Sequence, residues 1–463
     1  MSELVSKTLK NEDPSLQWDL YSQRAVDTEV HLRENTIESI RAPIFSQGYS
    51  VRVIRSRGID NNGNKISGIG ICPGNILENE KDVKHAIKFA LEASQITSAP
   101  SYDLPSEQKH LPSVKIVDPK ISERNFESGK DLAEQVISLL DKEKDIRVTF
   151  CKIRLTKIDT VLQNCFGLHM EKTETFAYFE AGLSPKSKEI GLAEYWPHIL
   201  FRRIDDLELE TGIPRWCKFA LDSPRAKPPE TSEYDLITPP HVFSEMLPPV
   251  VTFHASASAL RKGMTRWKSK AERVSDARVT ITDDGLLDYG LATSPFDDEG
   301  TPQQRTELVS KGEFKNYISN KMYSSFVSPP ESTGNGLRDG RTGVLSYSSD
   351  VGLHGTNTVM EQGDSSLEEM IKETKKGLLM EQFSWMLPDP ITGSFGAEIR
   401  HAYLVENGSV KGAVKGGVVN GCFFDTPDEK GILNSLDLVS KDRKNGDASV
   451  LPYVRFPRLR VSG

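Results

Sequence analysis

The sequence predicts an α+β protein of meandering antiparallel strands with helices packed against them. Three observations carry this: short runs of alternating apolar and polar residues, apolar stripes at helical spacing between them, and glycine-centred turns at the run ends. The 463 residues are enough for roughly two or three domains. Hydrophobic residues make up 37% and charged residues 27%, which supports buried cores and argues against wholesale disorder. With 58 basic and 66 acidic residues the formal net charge is −8, so no global pull toward nucleic acid or anionic membrane is expected.

Thr28–Arg33 alternates, with Val30 and Leu32 on one face and Glu29, His31 and Arg33 on the other. That period of two marks a half-buried strand. Tyr49–Arg55 and Ile66–Ile71 repeat it, and Asn62-Gly63 between them supplies the positive φ of a tight hairpin. Val83, Ala86, Ile87, Ala90 and Leu91 then fall on one helical stripe. Pro100, Pro105 and Pro112 mark a linker over 97–114. Leu132, Val136, Ile137 and Leu140 give a second helix, followed by expected strands over Arg147–Thr160, Val161–Glu171 and Glu174–Ala181. Pro224, Pro228, Pro229, Pro239 and Pro240 form the clearest boundary.

The chain therefore divides into an α+β unit at 1–112, a second at 113–223, a Pro-rich linker at 224–240 and a β-rich C-terminal domain at 241–463. In the last, Leu308–Lys315 and Leu404–Lys411 share a hairpin layout. Ser365-Ser366-Leu367-Glu368 is a capping-box signal, with Leu367, Met370, Ile371, Leu378 and Leu379 as a helical stripe behind it.

Most local chemistry motifs are absent. No two of the nine histidines lie within five residues and none precedes a Glu, so no HExxH zinc helix exists. Gly58 and Gly63 have phosphate-loop spacing, but Asn64-Lys65 follow where Lys-Ser/Thr is needed. No GxGxxG or G-x-S-x-G occurs. Five scattered cysteines, with no CxxC pair, read as reduced thiols. No apolar run is long enough to span a bilayer and the first residues lack a secretory stretch, so a cytoplasmic protein with no membrane partner is expected.

Two clusters admit two readings each. The basic stretch Arg261–Arg278, with Trp267 inside it, reads as a solvated helix face or as an anion-binding or nucleic-acid strip; charge runs are usually surface features, which favours the first. Asp283, Asp284, Asp288, Asp297, Asp298 and Glu299 read as turn-forming carboxylates or as a cation or acid–base site. Calcium-loop spacing fails, because Gly285 follows Asp284 without alternating ligands. His254 and Cys422 read as packed residues, with ligand and nucleophile as the alternatives.

Several ordered motifs resemble the TldD/PmbA family, also called modulators of gyrase. Thr293–Thr306, TSPFDDEGTPQQRT, is similar to its signature, with Asp283-Asp284-Gly285 just upstream. Phe314–Tyr317, Ser332–Gly336, Gly363–Glu368 with Gly377, Ile391–Phe395 and Ala402–Gly408 continue the resemblance in order, and Glu29-Val30 with Tyr49–Val53 extends it to the N-terminal sheet. The resemblance implies a mixed N-terminal portion, a β-rich barrel-like C-terminal domain and a protease context. Its TldD-type members carry an HExxxH zinc helix before the Asp-Asp-Gly turn and a C-terminal cysteine ligand. TldE/PmbA-type members lack these ligands, and the two kinds pair to cleave unfolded peptides.

This chain departs from the zinc pattern. Between Pro248 and Asp283 it reads His254-Ala-Ser-Ala-Ser-Ala-Leu260, without His-Glu or a second His, and Ala448 stands where the cysteine is expected. The resemblance therefore implies a non-catalytic, metal-free TldE/PmbA-like subunit. Its zinc would be held by a TldD-like partner in a heterodimer, with peptide as substrate and no nucleic acid partner. An extended peptide would add to a sheet edge. No catalytic or metal residue is assigned; Asp297, Asp298, Glu299 and Arg305 are candidates for a chamber wall or a structural turn. The alternatives are a stand-alone hydrolase with a nonlocal site at His254, His401, Cys422 or the acidic cluster, and a peptide- or partner-binding module without chemistry.

Overall fold

The computed structural model describes residues 2–61, 63–75, 79–108, 110–186, 194–340, 343–427, 429–446 and 448–463. Its first layer is one antiparallel sheet of β1 (Gln17–Arg33), β2 (Thr36–Ile59), β3 (Lys65–Gly74), β4 (Ala99–Pro100), β5 (Ile146–Asn164), β6 (His169–Pro185) and β7 (His198–Phe201), in the order β4-β3-β2-β1-β5-β6-β7. Two sets of helices cover one of its faces. At one end α1 (Ser2–Glu12) and α2 (Glu80–Ile96) bury Val5, Leu9, Val83, Ala86 and Ile87 against Trp18, Leu20, Val51 and Val53. At the other, α3 (Pro119–Ser122), α4 (Asn125–Leu140) and α5 (Leu209–Asp222) pack on Val30, Leu32, Ile153 and Phe179.

The second layer contains a closed five-stranded barrel. Its strands are β8 (Ser232–Thr238), β15 (Lys376–Phe383), β16 (Ser394–Glu406), β18 (Val418–Cys422) and β20 (Ser449–Ser462), and β20 pairs back onto β8. The same sheet extends through β9 (Ile281–Asp284), β10 (Arg305–Ser310), β11 (Glu313–Phe314) and β14 (Thr358–Met360), with β17 (Ser409–Val414) on β16 and β19 (Leu438–Gly446) on β20. A separate pair, β12 (Gly336–Arg338) and β13 (Val351–Leu353), lies in the connecting region. The helices here are α6 (Pro240–His254), α7 (Ala257–Arg261), α8 (Leu367–Glu373) and α9 (Ile432–Ser435).

Period-two alternation assigns the barrel side chains to two cores. Leu236, Leu378, Met380, Ile399 and Phe456 share a core with α6. Ile237, Leu379, Tyr403 and Val405 point the other way and pack with α4 and α5. The apolar sequence of α6 follows from this position: Val242, Phe243, Met246, Leu247, Val250 and Val251 are all at most 1% exposed. A helix apolar on nearly every face belongs inside a core.

Several expectations need correction. Strands before residue 112 and after residue 113 lie in one sheet, because β1 pairs with β5 from Asp19↔Asn164 to Leu32↔Cys151. The stretch expected as a Pro-rich linker, 224–240, contains barrel strand β8; its prolines flank an alternating run that buries Tyr234 and Leu236. The expected break at Thr160-Val161 is absent, since β5 continues to Asn164 and turns through Gly167 at φ 81° before β6. The capping box sits one residue later, with Ser366 as N-cap and Glu369 reciprocating. The stripe behind it splits, because α8 stops at Glu373 and Leu378 and Leu379 belong to β15. Gly63 has φ 83°, as the expected hairpin requires, while Asn62 lies outside the described residues.

Truncating the centre of α6 by Met246→Ala should leave a cavity in the barrel core. The expected loss is about 2–5 kcal/mol in denaturant unfolding; a change under about 0.5 kcal/mol would contradict the packing described.

Candidate functional site

The signature segment after β9 is threaded against the face of the first sheet that the helices leave uncovered. Phe296 packs with Tyr21, Leu162, Leu168 and Met170, and Leu291 with Ala25, Ile158 and Phe176. Its acids are buried and spoken for. Asp297 accepts from the backbone N–H of Glu299 (3.0 Å), Thr301 (2.8 Å) and Gly336 (2.9 Å). Asp298 accepts from the Tyr21 hydroxyl (3.1 Å) and the Arg338 N–H (2.8 Å). Glu299 accepts from the Lys321 N–H (2.9 Å) and from Arg52 Nη1 (3.3 Å). Burial, then the neighbouring Glu299 charge, raises the Asp297 carboxyl well above its usual range. Arg305 is different: its side chain is 62% exposed and its Nε lies 3.8 Å from Asp284. The four residues therefore do not converge on one cavity.

Residues that the sequence did not single out complete this junction. The Arg52 side chain is 2% exposed, donates through Nε to Asp19 (2.7 Å) and reaches the Tyr102 hydroxyl through Nη1 (3.2 Å). Arg202 donates to Glu174 (3.0 Å) and to the carbonyls of Gly290 (3.1 Å), Leu291 (2.9 Å) and Thr293 (2.7 Å). Its guanidinium lies 4.5 Å from the centre of the Phe176 ring. Asp19, Tyr21 and Gln23 alternate along β1 on this face, a pattern that in sequence reads as a solvent face. Replacing Arg52 by Met should leave Asp19 and Glu299 buried without a counter-charge. A loss of about 3–5 kcal/mol in urea unfolding is expected, and a neutral result would show the pairing to be dispensable.

At the end of α6, His254 is fully buried. Its Nδ1 accepts from the Arg266 N–H (3.0 Å), and its ring meets Phe253, Trp267 and Phe424 at centroid distances of 5.2, 5.9 and 4.7 Å. In an HExxxH helix starting at His254, the Glu and second His would stand at Ala255 and Ala259, which are 0% and 1% exposed. Among the described residues, no three His, Cys, Asp or Glu side chains gather into a metal-binding set. The residues present do not fit a zinc ion held in that manner, which requires about three protein ligands and an open position. Cys422 donates to the Thr392 carbonyl (3.4 Å), and the Ala448 carbonyl accepts from Thr358 N–H (3.0 Å).

The expected helix of basic residues ends at Arg261; the segment after it is irregular. Trp267 is buried against Phe314, Arg266 sits over Phe424, and Lys270 binds the Ser328 carbonyl (3.0 Å). Arg266 and Lys270 thus meet separate local partners.

His401 on β16 is 1% exposed and both ring nitrogens lack a hydrogen-bond partner among the described residues. Rings of Tyr195, Phe219 and Tyr403 surround it at 5.9, 4.8 and 5.1 Å. Burial lowers its pKa to about 4; Asp222 opposes this, and Lys218 and Lys415 reinforce it. The unfolded chain therefore binds more protons than the native one between about pH 4 and 6.5. The stabilisation from neutral His401 is complete above pH 6.5 and is lost as pH falls toward 4. Relative to His401→Phe, the wild type should lose roughly 3 kcal/mol of unfolding free energy across that window. Parallel stability curves for the two proteins would exclude a neutral buried imidazole.

With this geometry in place, comparison with known proteins is informative. Residues 231–463 match the model of the PmbA/TldA metallopeptidase C-terminal domain. The chain is 23% identical over 430 residues to a metalloprotease of Methanocaldococcus jannaschii, covering 89% of this chain and 87% of that protein. It is 24% identical over 278 residues to a zinc metalloprotease TldD homologue of Saccharolobus solfataricus, covering 56% and 58% respectively. The fold matches that of TldE from Thermococcus kodakarensis with a TM-score of 0.80 at 21% identity, over 100% of both chains. Among the described residues no helix is long and apolar enough to cross a membrane. The match spans the whole barrel domain and the signature turn that locks it to the first sheet, and the chain belongs to the PmbA/TldD metallopeptidase family.

Proposed function

We propose that this chain is the metal-free, TldE/PmbA-like subunit of a heterodimeric zinc metalloprotease acting on unfolded or small peptides. A TldD-like partner would hold the zinc and activate the water. The observation that carries this reading is the end of α6, where buried Ala255 and Ala259 stand at the positions an HExxxH helix beginning at His254 would use, and His254 is enclosed by aromatic rings. A neutral imidazole packed this way fills a core; it does not present a lone pair to an open coordination position. The fold likeness to a protein named TldE and the sequence likeness to TldD homologues support the pairing. In this reading Asp297, Asp298 and Glu299 serve the complex indirectly, by fixing the first sheet against the barrel domain.

The test compares the pure chain, a TldD-like subunit from the same source and their mixture. Zinc content by mass spectrometry, cleavage of an unfolded peptide and co-elution on size exclusion are measured. The expected result is no stoichiometric zinc and no cleavage by this chain alone, with a stable complex and full activity on mixing. Stoichiometric zinc in the pure chain, or cleavage by it alone, would overturn the proposal.

A further inference from the structure

A cleft of about 540 Å³, lined by both polar and apolar side chains, opens on the first sheet. Its floor is made by Asp27 of β1 and Arg154 and Thr156 of β5. One side is the segment from Gly343 to Ser348; the other is β2 at Ser46 and Gln47. The volume lies within the range of small-ligand sites and suits two or three amino-acid residues.

The side chains on the floor are held in place but not saturated. Thr156 donates to Asp27 Oδ1, which leaves Oδ2 for another donor. Arg154 donates through Nη2 to the Gly343 carbonyl (3.2 Å), lies over the Tyr178 ring and keeps its Nε buried without a partner among the described residues. Nη1 has no protein acceptor among the described hydrogen bonds. The wall is equally fixed. Gln23 Oε1 accepts from the N–H groups of Ser346 (2.7 Å) and Tyr347 (3.1 Å). The Tyr347 ring lies so close over Gly48 that a Cβ there would stand 2.1 Å from it. This is a preformed site with one carboxylate and one guanidinium on the same floor.

We propose that this cleft binds short peptides with free termini, Arg154 taking the terminal carboxylate and Asp27 the terminal ammonium. A guanidinium and a carboxylate facing one cavity match a zwitterion, and charge-assisted hydrogen bonds are the strong ones. Burial raises the Asp27 carboxyl above its usual range, against the Thr156 hydrogen bond and the nearby Arg154 charge. A bound ammonium would favour its ionised form further. The purpose of the site, retention of small substrates or cleavage products, rests on the peptidase-complex reading; the binding itself does not.

The experiment is calorimetric titration of the pure full chain with trialanine and with N-acetyl-trialanine amide. Trialanine should bind and the doubly capped peptide should bind at least about tenfold more weakly, as the loss of a charge-assisted contact implies. Asp27→Asn, which keeps the Thr156 contact, and Arg154→Gln should each weaken trialanine about tenfold, with unchanged thermal melts as the folding control. Equal binding of the two peptides, or no heat with trialanine at about 1 mM, would overturn the inference without the use of any variant. Because no partner subunit is present, this result and the activity of the mixture can each fail independently.

Discussion

The molecule depends on charges that are buried and matched across one junction. Arg52 and Arg202 leave the first sheet and end on the segment between β9 and β10, the first on Glu299 and the second on three carbonyls, with Glu174 of β6 as the counter-charge of Arg202. A buried guanidinium is costly unless its donors are all directed at acceptors. Glu299, Asp19 and Tyr102 meet that demand for Arg52, and Glu174 with the carbonyls of Gly290, Leu291 and Thr293 meets it for Arg202. Glu299 belongs to the Asp297–Glu299 turn. Its own carboxylates are satisfied by backbone N–H groups from the same turn and from the β12 and Tyr323 neighbourhood, through Gly336, Arg338 and Lys321. The layers of this protein are therefore held in register by direction-dependent contacts as well as by apolar burial, and the barrel, α6 and the cleft inherit their positions from that register.

How much of this was legible in the sequence follows from which residues announce their surroundings. Val83, Ala86, Ile87 and Ala90 show a helical stripe wherever they are placed, and α2 is where that stripe predicts. Strand alternation was equally visible, but its meaning was not. Asp19, Tyr21 and Gln23 alternate with Trp18, Leu20 and Ser22, which reads as a wet face opposite a dry one. In the fold both faces are covered, and the polar one forms the junction. No local pattern distinguishes a polar side chain facing water from one facing a buried guanidinium. The prolines around Ser232–Thr238 misled in a similar way, since they bound a strand whose partners are about 140 and 220 residues further along the chain.

The chemistry was legible mainly as absence. The missing His-Glu pair after α6 could be read directly, whereas the aromatic enclosure of His254 required Phe424 and Trp267 to be brought to it from elsewhere. The Asp27–Arg154 floor was invisible in sequence because its two charges sit on adjacent strands and lie more than a hundred residues apart.

The burial of Ala255 and Ala259 limits what substitution can achieve at this helix end. Each methyl group is enclosed, so a glutamate and a histidine at those positions would overfill a packed region and bring a charge into it without a partner. Two such substitutions would thus damage the fold before they could assemble a coordination sphere. Supplying ligands at this helix end would require its surroundings to be repacked at the same time, so the interior itself closes that route to single exchanges.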